Sequence, residues 1–258
     1  MKHILFVSII LLCATSVYCQ NHKADSLVSV LGKNQLTNKE KMDLYYKIVN
    51  NYVLFDLNKA SEYTEKGLKL AEKEGDKLMA SKFNAFFGRI YNTKSSYDTA
   101  IVYWDKALNL AIAAKDKGQE ADVYRGIGIL YVRQEYSSRV MEYFIKSLSI
   151  YEEIGDKTQI MTMLGNIGTL YVDLKNLERA LYYLERQRQL AEELNDDQGK
   201  QDVYHTLSSV YFYKKNFEQA LEYALKSYEL CHKLNDISYK AVCADLLAAI
   251  YRSNYFNE

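Results

Sequence analysis

Few residues of this chain are spaced for covalent chemistry. Arg125-Gly126-Ile127-Gly128 contains the GxG of a phosphate-binding loop, but the later glycine and lysine of such a loop are missing. The spacing around it is helical, so its amide groups are already committed to intrahelical bonds. His205 and His232 lie far apart in the pattern, and Cys231 and His232, as neighbours, point about 100° apart on a helix, so they do not converge on a metal. Cys231 and Cys243 fall at the end of one expected helix and the start of the next. That placement permits a bridge across a helix pair, while two small buried hydrophobes are the simpler reading. No hydrolase, kinase or metal signature is visible. The expectation is a protein without catalysis, cofactor or metal, whose chemistry is that of a surface.

Composition narrows the surface's partners. Lys plus Arg and Asp plus Glu both total 33, so the formal charge is zero and gives no global pull toward nucleic acid or anionic lipid. Hydrophobic residues make up 48% of 258, enough for a sizeable core. Proline is absent and tyrosine occurs 24 times, which disfavours loop-rich and all-β folds and favours helices.

Residues 1–19, MKHILFVSIILLCATSVYC, combine Lys2, an apolar run from Ile4 to Leu12 and a more polar tail. This is the pattern of a secretory signal peptide, and it predicts an exported chain, periplasmic, in the cell envelope or secreted. The run falls short of the ~20 apolar residues that span a bilayer, which argues against an uncleaved anchor. Lipidation at Cys19 is the other alternative, although Ser16, Val17 and Tyr18 make a poor approach to such a site.

The elements that position the surface are betrayed by a period. Steps of forty connect Tyr91, Tyr131, Tyr171, Tyr211 and Tyr251; Tyr63, Tyr103, Tyr143, Tyr183 and Tyr223; Gly88, Gly128, Gly168, Ser208 and Ala248; and Ala60, Ala100, Val140, Ala180 and Ala220. Such recurrence marks an array of supersecondary units. Within one unit Tyr124, Ile127, Gly128 and Tyr131 share one helical face, and Tyr143, Ile145, Leu148 and Tyr151 continue in a second helix after the short polar stretch 133–138. Each unit is therefore a helical hairpin.

A further series, Asp76, Asp116, Asp156, Asp196 and Asp236, marks the junctions. Gly75, Gly155, Asn195 and Asn235 precede four of them and suit the left-handed end of a helix, while Asp suits the N-cap of the next. Gln119 and Gln159 are spaced to complete capping boxes. The small residue at Gly88, Gly128 and Gly168 is expected to let the partner helix approach, meeting the small Ala100 series, with the tyrosine three residues on covering the seam.

Tyr124, Ile127-Gly128, Tyr131, Val140, Phe144 and Ser147, and Asn84, Phe87-Gly88, Tyr91, Ala100, Trp104 and Ala107, follow the pattern of the tetratricopeptide repeat family, which the chain resembles over about 41–258. It departs from that pattern in lacking the repeat-end proline and in its forty-residue period, as in the longer-helix branch. The resemblance implies an all-α, right-handed α-solenoid. Its repeats are expected at about 41–75, 76–115, 116–155, 156–195 and 196–235, with a half repeat at 236–258. Residues 20–40 precede the array with a short capping helix carrying Leu27, Val28, Val30 and Leu31, and Thr37 and Glu40 form a capping box for the next helix. The apolar last helix, with Val242, Leu246, Leu247 and Ile250, suits a covered position: either the chain continues or something lies over this end.

In that family the first helices of successive hairpins line a concave, partner-binding groove. Carried over by position, the groove here holds Lys82, Arg89 and Asn92; Asp122, Arg125 and Arg133; Thr169 and Asp173; and Asp202, His205, Ser209, Phe212 and Tyr213. The first half is net basic and the second acidic and aromatic. The family's carboxylate clamp is not expected, because Ala85, Arg89, Arg125 and Ile129 occupy its positions. The resemblance implies a non-catalytic scaffold that binds a protein or peptide and no nucleic acid. The alternative is the sensory ectodomain of an envelope kinase or transcription regulator, with membrane and output segments beyond residue 258.

Overall fold

The backbone of the computed structural model is described over residues 24–32, 36–132, 134 and 137–255, so the signal-like segment and Arg133 lie outside the described residues. Among the described residues every regular element is an α-helix. A short helix α1 (24–31) is followed by α2 (Asn38–Tyr52), α3 (Leu57–Glu74), α4 (Lys77–Thr93), α5 (Tyr97–Ala114), α6 (Lys117–Val132), α7 (Ser137–Ile154), α8 (Lys157–Asp173), α9 (Leu177–Glu193), α10 (Asp197–Tyr213), α11 (Phe217–Lys233) and α12 (Ile237–Tyr255). From α4 onward the first helices begin at Lys77, Lys117, Lys157, Asp197 and Ile237, at the forty-residue interval of the sequence. The helices fall into two compact units, Met1–Gln134 with α1 to α6 and Glu135–Glu258 with α7 to α12. In each unit consecutive helices pack on one another, giving the all-α hairpin stack of a solenoid.

The junctions use the chemistry read from the sequence. Gly75 and Gly155 sit at φ 69° and 72°, and Asn195 and Asn235 at 51° and 55°. Asp76, Asp156 and Asp196 then cap the next helix, Asp76 accepting from Met79 N at 2.9 Å. The Thr37–Glu40 capping box is complete in both directions. Gln119 takes a different course from the expected one: Asp116 accepts from its backbone N at 2.7 Å, and its side chain is buried in the wall of a cavity described below. Lys115, Ser95, Lys175 and Lys215 also adopt positive φ, although none is a residue type that announces it.

Two tyrosine series of the sequence meet face to face. Tyr52 stacks on Tyr63, Tyr91 on Tyr103, Tyr171 on Tyr183 and Tyr211 on Tyr223, with centroids 5.9, 5.3, 5.5 and 5.6 Å apart. The interplanar angles of 8°, 6°, 18° and 4° make each pair an offset stack closing one hairpin. A lysine one turn on covers the second ring in three of these hairpins: Lys66 over Tyr63, Lys106 over Tyr103 and Lys226 over Tyr223.

The recurring small position does something other than expected. A Cβ on Gly88 would stand 2.6 Å from the Trp104 ring, and one on Gly168 would stand 2.7 Å from Leu184. The glycine thus makes room for a large residue sixteen places on, rather than for the alanine series. In the fifth hairpin small meets small, where Ser208 Oγ donates to the Ala220 carbonyl at 2.8 Å. The large position there is Ala224, and in the first hairpin Val49 is paired by register with Thr64; Ser208, Ala224, Val49 and Thr64 are all buried. Volume lost on one helix is supplied by the other, as close packing demands.

In the first unit, α1 lays Leu27, Val28 and Leu31 against the core formed by Met42, Ile48, Val49 and Tyr52, leaving Val30 exposed. Tyr52 Oη donates to Asp25 at 2.6 Å, and its burial together with this bond raises the phenol well above its ordinary pKa. In the second unit Cys231 and Cys243 are buried as free thiols, their sulfurs 3.5 Å apart between α11 and α12. Burial and the neighbouring sulfur raise the Cys231 thiol pKa.

Candidate partner-binding surface

Each unit holds a cavity on its first helices. In the first unit a cavity of about 360 Å³ is walled by Tyr46 of α2, residues 82–93 of α4, Trp104 of α5 and residues 119–129 of α6. Lys82, Arg89, Asn92, Asp122 and Arg125, all named from the sequence, line it together. Helical spacing explains this, since Lys82 and Arg89 are two turns apart on one face of α4, and Asp122 and Arg125 are nearly one turn apart on one face of α6.

The cavity's electrostatics are basic. Lys82, Arg89 and Arg125 face Asp122, whose Oδ1 accepts from Arg125 Nη2 at 2.5 Å. Two of the cations are held over aromatic faces: Lys82 Nζ lies 5.5 Å from the Tyr46 ring centre and the Arg89 guanidinium 5.7 Å from that of Phe86. Desolvation, and then the Arg125 charge, lower the Arg89 pKa; the guanidinium nonetheless stays charged in water at any ordinary pH. Burial, followed by the Asp122 charge, raises the Tyr46 phenol. Asn92 Oδ1 and Trp104 Nε1, on side chains 6% and 3% exposed, are buried in the wall without a hydrogen-bond partner.

In the second unit a cavity of about 360 Å³ is lined by Thr158, Thr162, Asn166 and Thr169 of α8, by Gln187 of α9, and by Gln198, Asp202 and Thr206 of α10. Two residues named from the sequence, Thr169 and Asp202, meet there. Burial raises the Asp202 carboxyl, against the opposing hydrogen bond from Gln198 Nε2 at 3.3 Å. The other named residues lie apart from this cavity. His205 packs edge-on to Tyr239 and 4.0 Å from Cys243 Sγ, Ser209 Oγ donates to the His205 carbonyl, and Asp173 is exposed at the end of α8. Phe212 rests on Phe217 and Tyr213, the latter 64% exposed. Spacing on the first helices alone missed Tyr46, Trp104 and Gln119. Trp104 comes from a second helix and reaches the first-unit cavity only because Gly88 and Gly126 both leave space for its ring. Among the described residues no group of His, Cys, Asp and Glu is arranged to hold a metal, and no helix is long and apolar enough to cross a membrane.

Comparison with known proteins places this geometry. Residues 159–233 match the tetratricopeptide repeat family model. No curated protein matches the chain significantly. Among solved structures, the chain is similar to BtubC (BKLC) from P. vanneervenii, with TM-score 0.66 and 14% identity over 85% of this chain and 91% of that one. It is similar to a Rap protein complexed with Competence and Sporulation Factor, with TM-score 0.62 and 15% identity over 85% of this chain and 66% of that one. A signal transduction ATPase with numerous domains from Pyrococcus horikoshii, bearing a tetratricopeptide repeat sensor, gives TM-score 0.72 and 20% identity over 90% of this chain but only 37% of that one. These identities speak to fold, while the sequence match at 159–233 falls on α8 to α11, two of the stacked hairpins. Over residues 159–233 the chain matches the tetratricopeptide repeat family, and its stacked hairpins share the fold of the solved structures named above.

Proposed function

We propose that this chain is a non-catalytic scaffold that binds a protein or peptide along its first helices. The observation that carries the reading is the first-unit cavity, where α2, α4 and α6 bring three cations and two aromatic rings to one open depression. Polar and charged groups on such a surface set orientation and register more than raw affinity. The Rap structure, a similar fold complexed with a factor, supports the same kind of use. Export to the cell envelope rests on the composition of residues 1–19. A sensory role within a longer signalling protein is the second reading, favoured by the similarity to the repeat sensor of the signalling ATPase. The groove reading is tested by placing a photo-crosslinking residue at Ala85 in the cavity, or at the exposed Val102 of α5 as a control, in chain expressed with its native leader. A partner captured from Ala85 and not from Val102, and lost on Arg125→Glu with helicity unchanged, supports the reading. Equal capture from both positions would move the contact surface elsewhere.

A further inference from the structure

Resting on the groove reading, we infer that the first-unit cavity is a receptor for a dianionic element of the bound polypeptide: two neighbouring acidic side chains, or one phosphoryl group. The lining carries Lys82, Arg89 and Arg125 against the single carboxylate of Asp122, a formal excess of two positive charges. Arg89 and Arg125 stand on adjacent first helices, close enough for the charge of one to disfavour the other, and Asp122 is engaged by Arg125. Like charges brought together beside apolar walls raise the energy of the empty site, and an anion between them relieves it.

The cations are also prepared for that task. Lys82 lies over Tyr46 and Arg89 over Phe86, which restrains two long side chains before any ligand arrives and lowers the ordering cost of binding. Guanidinium groups present paired N–H donors that match the oxygens of carboxylate or phosphoryl groups. Asn92 and Trp104, with their unpartnered polar atoms, form part of the same wall, so an incoming chain has an acceptor and a donor to meet as well as charge. The second-unit cavity is lined by threonines, amides and carboxylates with no cation, so the inference is confined to the first.

The chain supplies its own probe. Trp104 is its single tryptophan and lines the cavity, so emission excited at the red edge, where tyrosine is silent, reports on this site alone. Blocked octapeptides differing only at two central positions (Glu-Glu, phosphoserine-Gly, Gln-Gln or Lys-Lys, flanked by Gly, Ser and Phe) are titrated into the full chain, with inorganic phosphate as a further arm. The expected result is a saturable change in Trp104 emission with Glu-Glu or phosphoserine, at least tenfold weaker with Gln-Gln, and absent with Lys-Lys and with free phosphate at the same concentrations. Arg89→Gln should weaken the acidic peptides at least tenfold and Arg89→Lys less. Lys82→Gln, which removes a cation from the same cavity wall, repeats the test should Arg89→Gln disturb folding. Equal response to Glu-Glu and Gln-Gln would overturn the inference and leave the groove reading standing, as would silence from every peptide while crosslinking at Ala85 still captures a partner. Silence together with failed crosslinking would remove both, and saturation by free phosphate alone would replace the peptide with a small anion.

Discussion

Trp104 occupies the space that a side chain on Gly88 would need: a Cβ there would come within 2.6 Å of the indole. Gly126, on α6, leaves the other edge of the same ring its room. The indole is thus wedged between two helices, with only 3% of its surface exposed.

Gly88→Ala should therefore destabilise the first unit by about 1–3 kcal/mol through overpacking, despite alanine's better helix propensity. Trp104→Ala should cost about 3–5 kcal/mol through the cavity it leaves. Gly88→Ser with Trp104→Ala reproduces the Ser208 and Ala224 arrangement of the fifth hairpin, and should cost less than the sum of its single changes. Urea unfolding of the four proteins checks this; strict additivity would mean that the two positions do not share a volume.

Gln201 is fully buried, and neither its side-chain oxygen nor its nitrogen has a hydrogen-bond partner. One repeat earlier the equivalent residue is the buried Met161. Gln201→Met removes two unsatisfied polar atoms at nearly constant volume, and should stabilise the second unit by about 1–3 kcal/mol. Thermal unfolding by circular dichroism reads the shift, and a lowered midpoint would show that the amide has a partner in solution.

Lys115 ends α5 at φ 57° with its side chain in solvent. Gly75 and Gly155 fill the same place in other repeats. Lys115→Gly should raise stability by about 0.5–1 kcal/mol, because relief of left-handed strain exceeds glycine's entropy cost. A neutral or negative change in denaturation midpoint would contradict this.

His205 is half-buried against Tyr239, and burial lowers its pKa below 6.5. The unfolded chain then binds a proton more readily than the folded one, so the stability tied to neutral His205 is complete above 6.5 and is lost as pH falls through that value toward the folded pKa. The slope from this group is at most about 1.4 kcal/mol per pH unit. The neighbouring Asp202 carboxyl, raised by burial, acts in the opposite sense at lower pH, since the folded state takes its proton first. Between pH 7 and 5.5 the second unit should weaken, and His205→Gln should flatten that part of the profile. An unchanged slope in His205→Gln would assign the acid sensitivity to another group.

The period, the hairpins and most junctions were legible because each depends on residue types that recur at fixed places: Gly or Asn before Asp, and tyrosine on one face. Positive φ at Lys115, Lys175 and Lys215 was not legible, since lysine carries no preference for it and adopts it only because the flanking helices require a tight turn. The partner of the small residue was misread for a related reason. Gly88 reveals missing volume, but which residue fills it depends on where the second helix crosses, and sequence spacing within one helix says nothing of that. The basic half of the candidate site was visible as charges on two helical faces, whereas Trp104 came from a helix outside the expected groove.

The stacked tyrosines carry one last consequence. Tyr52 and Tyr63 are eleven residues apart, while Tyr91 and Tyr103 are twelve, yet both pairs lie nearly parallel at almost the same separation. A hairpin that drops a residue from its bend still closes on the same ring pair, so the aromatic clasp sets the phase of the repeat and the bend merely spans it. A residue gained or lost in a bend would thus lengthen or shorten the hairpin's turn while sparing the pairing of its two helices.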